Sequence, residues 1–256
     1  MIESSSNKIY KQLNALRTKK ERDKTGLFIL EGVRIIYEIP KSYNISYYAL
    51  SQSYSEKNDL SALYDNAPVY IFSDKLFSKL SETVTPQGIF AAVQKKEYSL
   101  KDTIKNSSFL VILENISDPG NLGTIIRTAD AAGADAVLLS KGCVDLYNPK
   151  VIRSTMGSIF HLPVVTDLDL PETLEHLHSK NISVYAAHLK SESYPYSYDL
   201  TKPTAILIGN EANGLTDTVT SLSDHAVKLP MIGSAESMNA SVACSILLYE
   251  VVRQRL

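Results

Sequence analysis

The run from Ser108 to Ile116 is almost entirely apolar, and a second such run, Asp135 to Ser140, follows one helix-length segment later, from about Leu122 to Ala132. Apolar stretches of this kind read as strands buried on both faces. Two of them joined through a helix by short connections make a parallel βαβ unit. The pattern recurs with a helix over 171–180, a strand over 182–188 and another over 204–208. The C-terminal part is therefore predicted to be α/β with a mostly parallel sheet. Such sheets hold ligands beyond the carboxyl ends of their strands.

The first hundred residues alternate shorter elements. Residues 8–24 look helical, 27–32 read as a strand closed by glycine, and 33–39 as a helix stopped by Pro40. Strands are expected at 46–50, 68–72 and 88–93, with a helix around 74–80 whose N-terminus Asp74 favours. This is a small α/β domain, 1–98. The polar stretch 94–107 supplies a linker at 99–107, and a second domain takes 108–256.

At 256 residues, two domains of ordinary size fit the chain, and 44% hydrophobic with 21% charged residues is ordinary globular composition. No apolar run reaches the roughly 18–20 residues of a membrane span, and the polar amino terminus lacks a signal-peptide core, so no membrane partner is expected. Two cysteines, Cys143 and Cys244, form no disulfide framework and suit a reducing cytoplasm. A net charge of −2 argues against a generally basic nucleic-acid binder. Residues 1–100 nevertheless hold 14 Lys/Arg against 11 Asp/Glu, with Lys8, Lys11, Arg17, Lys19, Lys20, Arg22 and Lys24 in one run. That run is either a solvated helix face or an RNA-facing arm. His176 and His178 fall on different faces of a helix, so no metal site is expected.

Three turns could carry chemistry. Asn115 to Gly133 joins a strand to a helix, with Pro119 and Gly120 making the turn, Gly123 allowing close approach, and Arg127 one helical turn further on. It offers G-x-x-G where a dinucleotide fingerprint needs G-x-G-x-x-G, and it lacks a P-loop lysine, which counts against a nucleotide-binding oxidoreductase. Gly209-Asn210-Glu211 with Gly214-Leu215 follows the 204–208 strand and can hold a carboxylate exposed at the strand end. Ser237-Met238-Asn239 with Ser241 opens a long apolar helix ending near Arg253. Taken singly, each has an ordinary structural reading: a surface arginine, a first-turn acid, a helix cap.

Together, and in this order, the three segments resemble the motifs of the SpoU/TrmH family of RNA ribose 2′-O-methyltransferases. Asn121, Gly123 and Arg127 match N-x-G-x-x-x-R; Gly209, Glu211, Gly214 and Leu215 match G-x-E-x-x-G-[LI]. Leu229, Pro230, Met231, Gly233, Ser237, Asn239, Ser241 and Ala243 match the third motif, with Met238 where leucine is usual and Ala240 in place of valine. The resemblance covers about 108–256. More weakly, Phe28 to Ile36 and Thr83 to Val93 look like the substrate-binding domain often fused in front.

The resemblance implies an α/β knot (a trefoil knot in a SPOUT methyltransferase domain), S-adenosylmethionine as cofactor, and a homodimer. It implies cofactor contacts around Gly209, Leu229 and Met238, where apolar Ile208 and Ile232 could also flank an adenine. Arg127 would be the central catalytic residue, with Asn121, Glu211, Ser237 and Asn239 holding it, the ribose and the phosphate in register. The expected activity is methyl transfer to RNA, ribosomal RNA of the large subunit being favoured over tRNA. A non-catalytic RNA-binding protein of the same fold is the competing expectation. The apolar stripe Val242, Ile246, Leu247, Tyr249, Val251 on the terminal helix suits either a subunit interface or burial against its own sheet.

Overall fold

The computed structural model describes residues 1–64, 67–81, 83, 85–105 and 108–256. Residues 106 and 107 of the expected linker and residue 84 of the 83–93 segment lie outside the described residues. The chain forms two compact units, one of residues 1–96 with 147–153, the other of residues 97–146 with 154–256.

The first unit is built on a four-stranded sheet of β1 (Leu27–Glu31), β2 (Ile45–Ser51), β3 (Val69–Phe72) and β4 (Ile89–Gln94), in the order β1-β4-β2-β3. β4 pairs antiparallel with both β1 and β2, whereas β2 and β3 run parallel. Leu13, Leu16, Phe72, Phe77 and Phe90 fill its core. The helix expected over 8–24 is two helices, Lys8–Ala15 and Lys19–Thr25. The break falls where the Thr18 side chain turns back to accept from the Glu21 N–H, a helix cap within the charged run.

That break also divides the basic run. Arg22 is buried and donates to the Leu16 and Arg17 carbonyls, while the Arg17 guanidinium donates to the Leu80 carbonyl. Lys8, Lys11, Lys19 and Lys20 remain exposed. Two of the cations thus serve the fold itself.

The second unit has a six-stranded sheet of β5 (Phe109–Leu113), β6 (Ala136–Ser140), β7 (Val164–Leu168), β8 (Ser183–Ala187), β9 (Thr204–Ile208) and β10 (His225–Val227). The order is β10-β8-β9-β5-β6-β7, and every pairing is parallel. All five residues of each of β5, β6 and β9 are buried, as expected for strands covered on both faces. Leu100 and Ile104, from the segment expected to be a linker, and Tyr98 just before it pack into this unit's core, and Leu100–Thr103 forms a short helix.

The strand order reverses between β5 and β9. Successive strands run from β5 outward through β6 to β7, then return on the other side as β8 and β9. The connections leaving neighbouring β5 and β9 therefore diverge, opening a crevice at their carboxyl ends. The helix after β5 begins earlier than its sequence suggests. It spans Pro119–Ala131, with Asp118 as its cap and proline in the first turn, so Asn121 and Gly123 lie within the helix and not in a turn before it.

The terminal helix, Ala240–Arg255, packs against the Pro119–Ala131 helix and β9. Its apolar residues divide between two faces. Cys244, Leu247, Leu248 and Val251 are buried; Val242, Ile246 and Tyr249 are exposed at 45%, 42% and 52%.

Candidate active site

Three loops meet at the β5/β9 crevice. After β9 the chain turns sharply through residues 209–214, closed by reciprocal backbone hydrogen bonds between Asn210 and Gly214 at 3.0 and 2.9 Å. Only glycine fits at 209, since a Cβ there would stand 2.3 Å from the Gly214 carbonyl carbon. Gly214 itself has φ of +69°, which favours glycine. The turn carries Glu211 over the start of the Pro119–Ala131 helix.

The Glu211 carboxylate is there met by donors on both oxygens. Oε2 accepts from the Ser117 N–H (3.1 Å) and hydroxyl (2.9 Å), and Oε1 from the Asp118 N–H (3.1 Å) and Asn121 Nδ2 (3.0 Å). Partial burial pushes this carboxyl's pKa upward. The Asn121 amide and the backbone N–H groups around it outweigh that effect and bring it down to about 2. The stability this arrangement contributes is thus complete above the ordinary carboxyl value of 4.5 and is lost as pH falls through about 2.

The ionised carboxylate can only accept, which fixes the next link. Asn121 spends Nδ2 on Glu211, so its Oδ1 faces the other way and accepts from Asn239 Nδ2 at 2.9 Å. Asn239 then presents Oδ1 to the terminal helix, where it accepts from the Ser241 N–H (2.9 Å), the Ser241 hydroxyl (2.6 Å) and the Val242 N–H (3.2 Å). One line of hydrogen bonds, Glu211 to Asn121 to Asn239 to Ser241, unites residues from all three motifs. Neither amide can flip without setting donor against donor or acceptor against acceptor.

Beside this line lies a cleft of about 400 Å³, within the range for a small-molecule site. Ile208, Gly209, Glu211, Leu229, Ser237 and Met238 line it, joined by Met231 and Leu247 and, from the end of β8, by Ala187 to Lys190. Apolar side chains and the free backbone groups of a glycine turn suit a purine with a polar arm. Among the described residues no group of three His, Cys, Asp or Glu side chains is gathered as for a metal. His178 instead faces Asp224 at 3.1 Å.

Two expected members stand elsewhere. Ile232 is 97% exposed and outside the cleft lining; in the same irregular segment its neighbour Met231 takes the inward position. The Arg127 side chain is exposed and its guanidinium makes no hydrogen bond to a described residue, so the line of amides does not hold it. Six residues separate it from Asn121 on one helix, roughly 240° around the axis; with Asn121 turned inward, Arg127 faces solvent. Ser117 and Asp118 are residues that the motif reading passes over. An aspartate directly before proline is a helix-start signal that marks Asp118; Ser117 has no such signature.

The SpoU rRNA Methylase family profile matches residues 108–249, more than half of the chain. The chain belongs to that family. An MRM3-like substrate binding domain matches residues 7–91. The chain is 37% identical over 250 residues to the Bacillus subtilis 23S rRNA (guanosine(2553)-2′-O)-methyltransferase RlmP, covering 98% of each chain. Among solved structures it resembles the Streptomyces viridochromogenes SpoU methyltransferase AviRb in complex with AdoMet, with a TM-score of 0.87 at 29% identity over 97% of this chain and 98% of that one. An AdoMet-bound rRNA methyltransferase from Sinorhizobium meliloti gives a TM-score of 0.87 at 30% identity, over 100% and 98%.

Replacing Asn121 with aspartate sets a carboxylate where the amide now donates to Glu211 at 3.0 Å. Two carboxylates so close cannot both ionise, so one pKa rises above its unfolded value, and the stability of the shared proton is lost as pH rises. In thermal melts the deficit of Asn121→Asp against the parent should therefore widen between about pH 5 and about pH 8, reaching roughly 5 °C or more. A deficit independent of pH would contradict the arrangement.

Proposed function

We propose that this protein uses S-adenosylmethionine to methylate a ribose 2′-hydroxyl of large-subunit ribosomal RNA, acting as a homodimer in the cytoplasm. The observation that carries the reading is the single line of hydrogen bonds uniting the three motifs beside a cleft of cofactor size. The 23S rRNA activity named for the Bacillus subtilis relative supports the substrate. The AdoMet complexes of the two similar structures support the cofactor.

When bound, S-adenosylmethionine supplies a methyl group already activated on a sulfonium, so that the bond from carbon to the 2′-oxygen forms as the carbon–sulfur bond breaks. The chain's task is then chiefly alignment. Gly209, Leu229 and Met238, with Ile208, are assigned to hold the adenosine end in the cleft. Glu211, Asn121 and Asn239 hold the floor rigid where the two reactants would meet, and Ser237 at the rim can bond the incoming ribose. Arg127, with its guanidinium unspent on any described residue, is assigned to the RNA. A guanidinium stays protonated at any working pH, so its work is to orient the 2′-hydroxyl and neutralise a nearby phosphate, not to remove the proton.

The first unit is assigned to gripping the RNA, with exposed Lys8, Lys11, Lys19 and Lys20 supplying the attraction to phosphate. The free thiols Cys143 and Cys244 are at home in a reducing compartment. The order of the parallel sheet, with β9 returning beside β5, is compatible with a trefoil knot closed by the terminal helix. For the dimer, the support is the exposed stripe Val242, Ile246, Tyr249. Its spacing of four and three residues makes one continuous face of the terminal helix.

With labelled S-adenosylmethionine and large-subunit ribosomal RNA from cells lacking the gene, the parent protein should transfer label. Arg127→Ala should be slower by about a hundredfold or more, with its cofactor dissociation constant within about threefold of the parent's. Full activity in that variant would refute its role, and label entering only tRNA would refute the substrate. Light scattering on the eluted protein should give twice the 28.3 kDa chain mass, falling to one chain for Ile246→Glu; a monomeric parent would refute the dimer.

A further inference from the structure

The loop that walls the cleft, residues 209–216, is fastened at both ends by side chains outside the assigned machinery. At its start, Asn210 Nδ2 donates to the Asn115 carbonyl at 2.7 Å, and its Oδ1 accepts from the Ala212 and Asn213 N–H groups at 3.0 and 3.1 Å. At its end, Glu114 takes both donors of Thr216. The Thr216 N–H reaches Oε2 at 2.8 Å, and its hydroxyl reaches Oε1 at 2.7 Å. Glu114 sits one residue beyond β5, only 4% exposed, with its own N–H on the Ile208 carbonyl at 2.8 Å. It therefore ties the loop's far end to the point where β5 and β9 finish in register.

A carboxylate is a costly group to bury without a cation, and no described Lys, Arg or His pairs with this one. A core position at a strand end is filled more cheaply by leucine or valine. What the carboxylate supplies, and an apolar side chain cannot, is two directed acceptors for one residue of the cleft wall. Thr216 is also held in orientation, since its hydroxyl oxygen accepts from the Val219 N–H at 3.4 Å.

We propose that Glu114 is a positioning residue for the cofactor, fixing the 209–216 loop through Thr216 so that Gly214 and Leu215 keep the cleft's shape. This rests on assigning the cleft to S-adenosylmethionine. Glu114 acts on binding and not on the transfer step, because Glu211 is anchored separately by Ser117, Asp118 and Asn121.

The test compares Glu114→Leu, Glu114→Gln and Gly209→Val, each checked for parental circular dichroism, by S-adenosylmethionine titration calorimetry and single-turnover transfer at saturating cofactor. Glutamine can accept the Thr216 N–H on its oxygen and donate its amide to the Thr216 hydroxyl, so it should bind within about threefold of the parent. Leucine satisfies neither donor and should bind about tenfold or more weakly, with a saturated transfer rate within about threefold. Gly209→Val drives side-chain atoms into the Gly214 backbone and should abolish binding. Parental affinity in Glu114→Leu, or equal losses in Leu and Gln, overturns the role of Glu114 while binding is lost in Gly209→Val. Retained binding in Gly209→Val overturns the cleft assignment itself. If Glu114→Leu does not fold, Thr216→Val at this exposed residue removes one of the two bonds to Glu114, and Thr216→Asn, which keeps an acceptor for the Val219 N–H, controls for the lost helix cap. A weakening of about threefold or more then supports the inference, and unchanged affinity overturns it.

Discussion

The site depends on one ionised carboxylate. Because Glu211 accepts four hydrogen bonds and can donate none, it dictates which way the Asn121 amide faces, and Asn121 in turn dictates Asn239. Ninety residues separate the first pair and 118 the second. No local propensity could bring such groups together. The parallel sheet does so, by ending β5 and β9 side by side at the reversal of strand order, with the terminal helix packed against β9 and the Pro119–Ala131 helix.

The same carboxyl edge carries a division of labour between two glutamates. Glu211 lies over the helix start with its chain exposed and its carboxylate fully bonded. Glu114 lies beneath the sheet edge and is spent on Thr216. One organises the floor shared by the three motifs, the other the wall of the cleft. Arg127 belongs to neither set. Its guanidinium is exposed and has no partner among the described residues, whereas Arg22 is buried and Arg17 is bonded within the first unit.

Much of the fold was legible because buried parallel strands announce themselves as unbroken apolar runs. β5, β6, β8 and β9 fall where Phe109, Ala136, Ser183 and Thr204 open such runs. β7 and β10 are harder to see: the former carries Thr166 and Asp167 on a sheet edge, and the latter has three residues. The helix over 8–24 broke at Thr18 because a charged pattern continues through a cap that interrupts the backbone. Asn121, Glu211 and Asn239 could be picked out as residues, yet not their mutual bonds, which need the sheet topology. Ile232 is as apolar as the residues that line the cleft, but of the adjacent pair in this loop Met231 takes the inward position, an alternation that hydrophobicity alone does not reveal. Glu114 was invisible for a different reason: its partner lies 102 residues away, and neither belongs to a motif.

The central claim is that Glu211, Asn121 and Asn239 act as one unit. A double-mutant cycle on single-turnover methyl transfer tests it most directly, using Asn121→Ala, Asn239→Ala and the pair. If the amides form one line, breaking either link releases the whole, and the double variant should be no more than about threefold slower than the slower single. Losses that multiply, each substitution contributing its full factor in the presence of the other, would contradict the account.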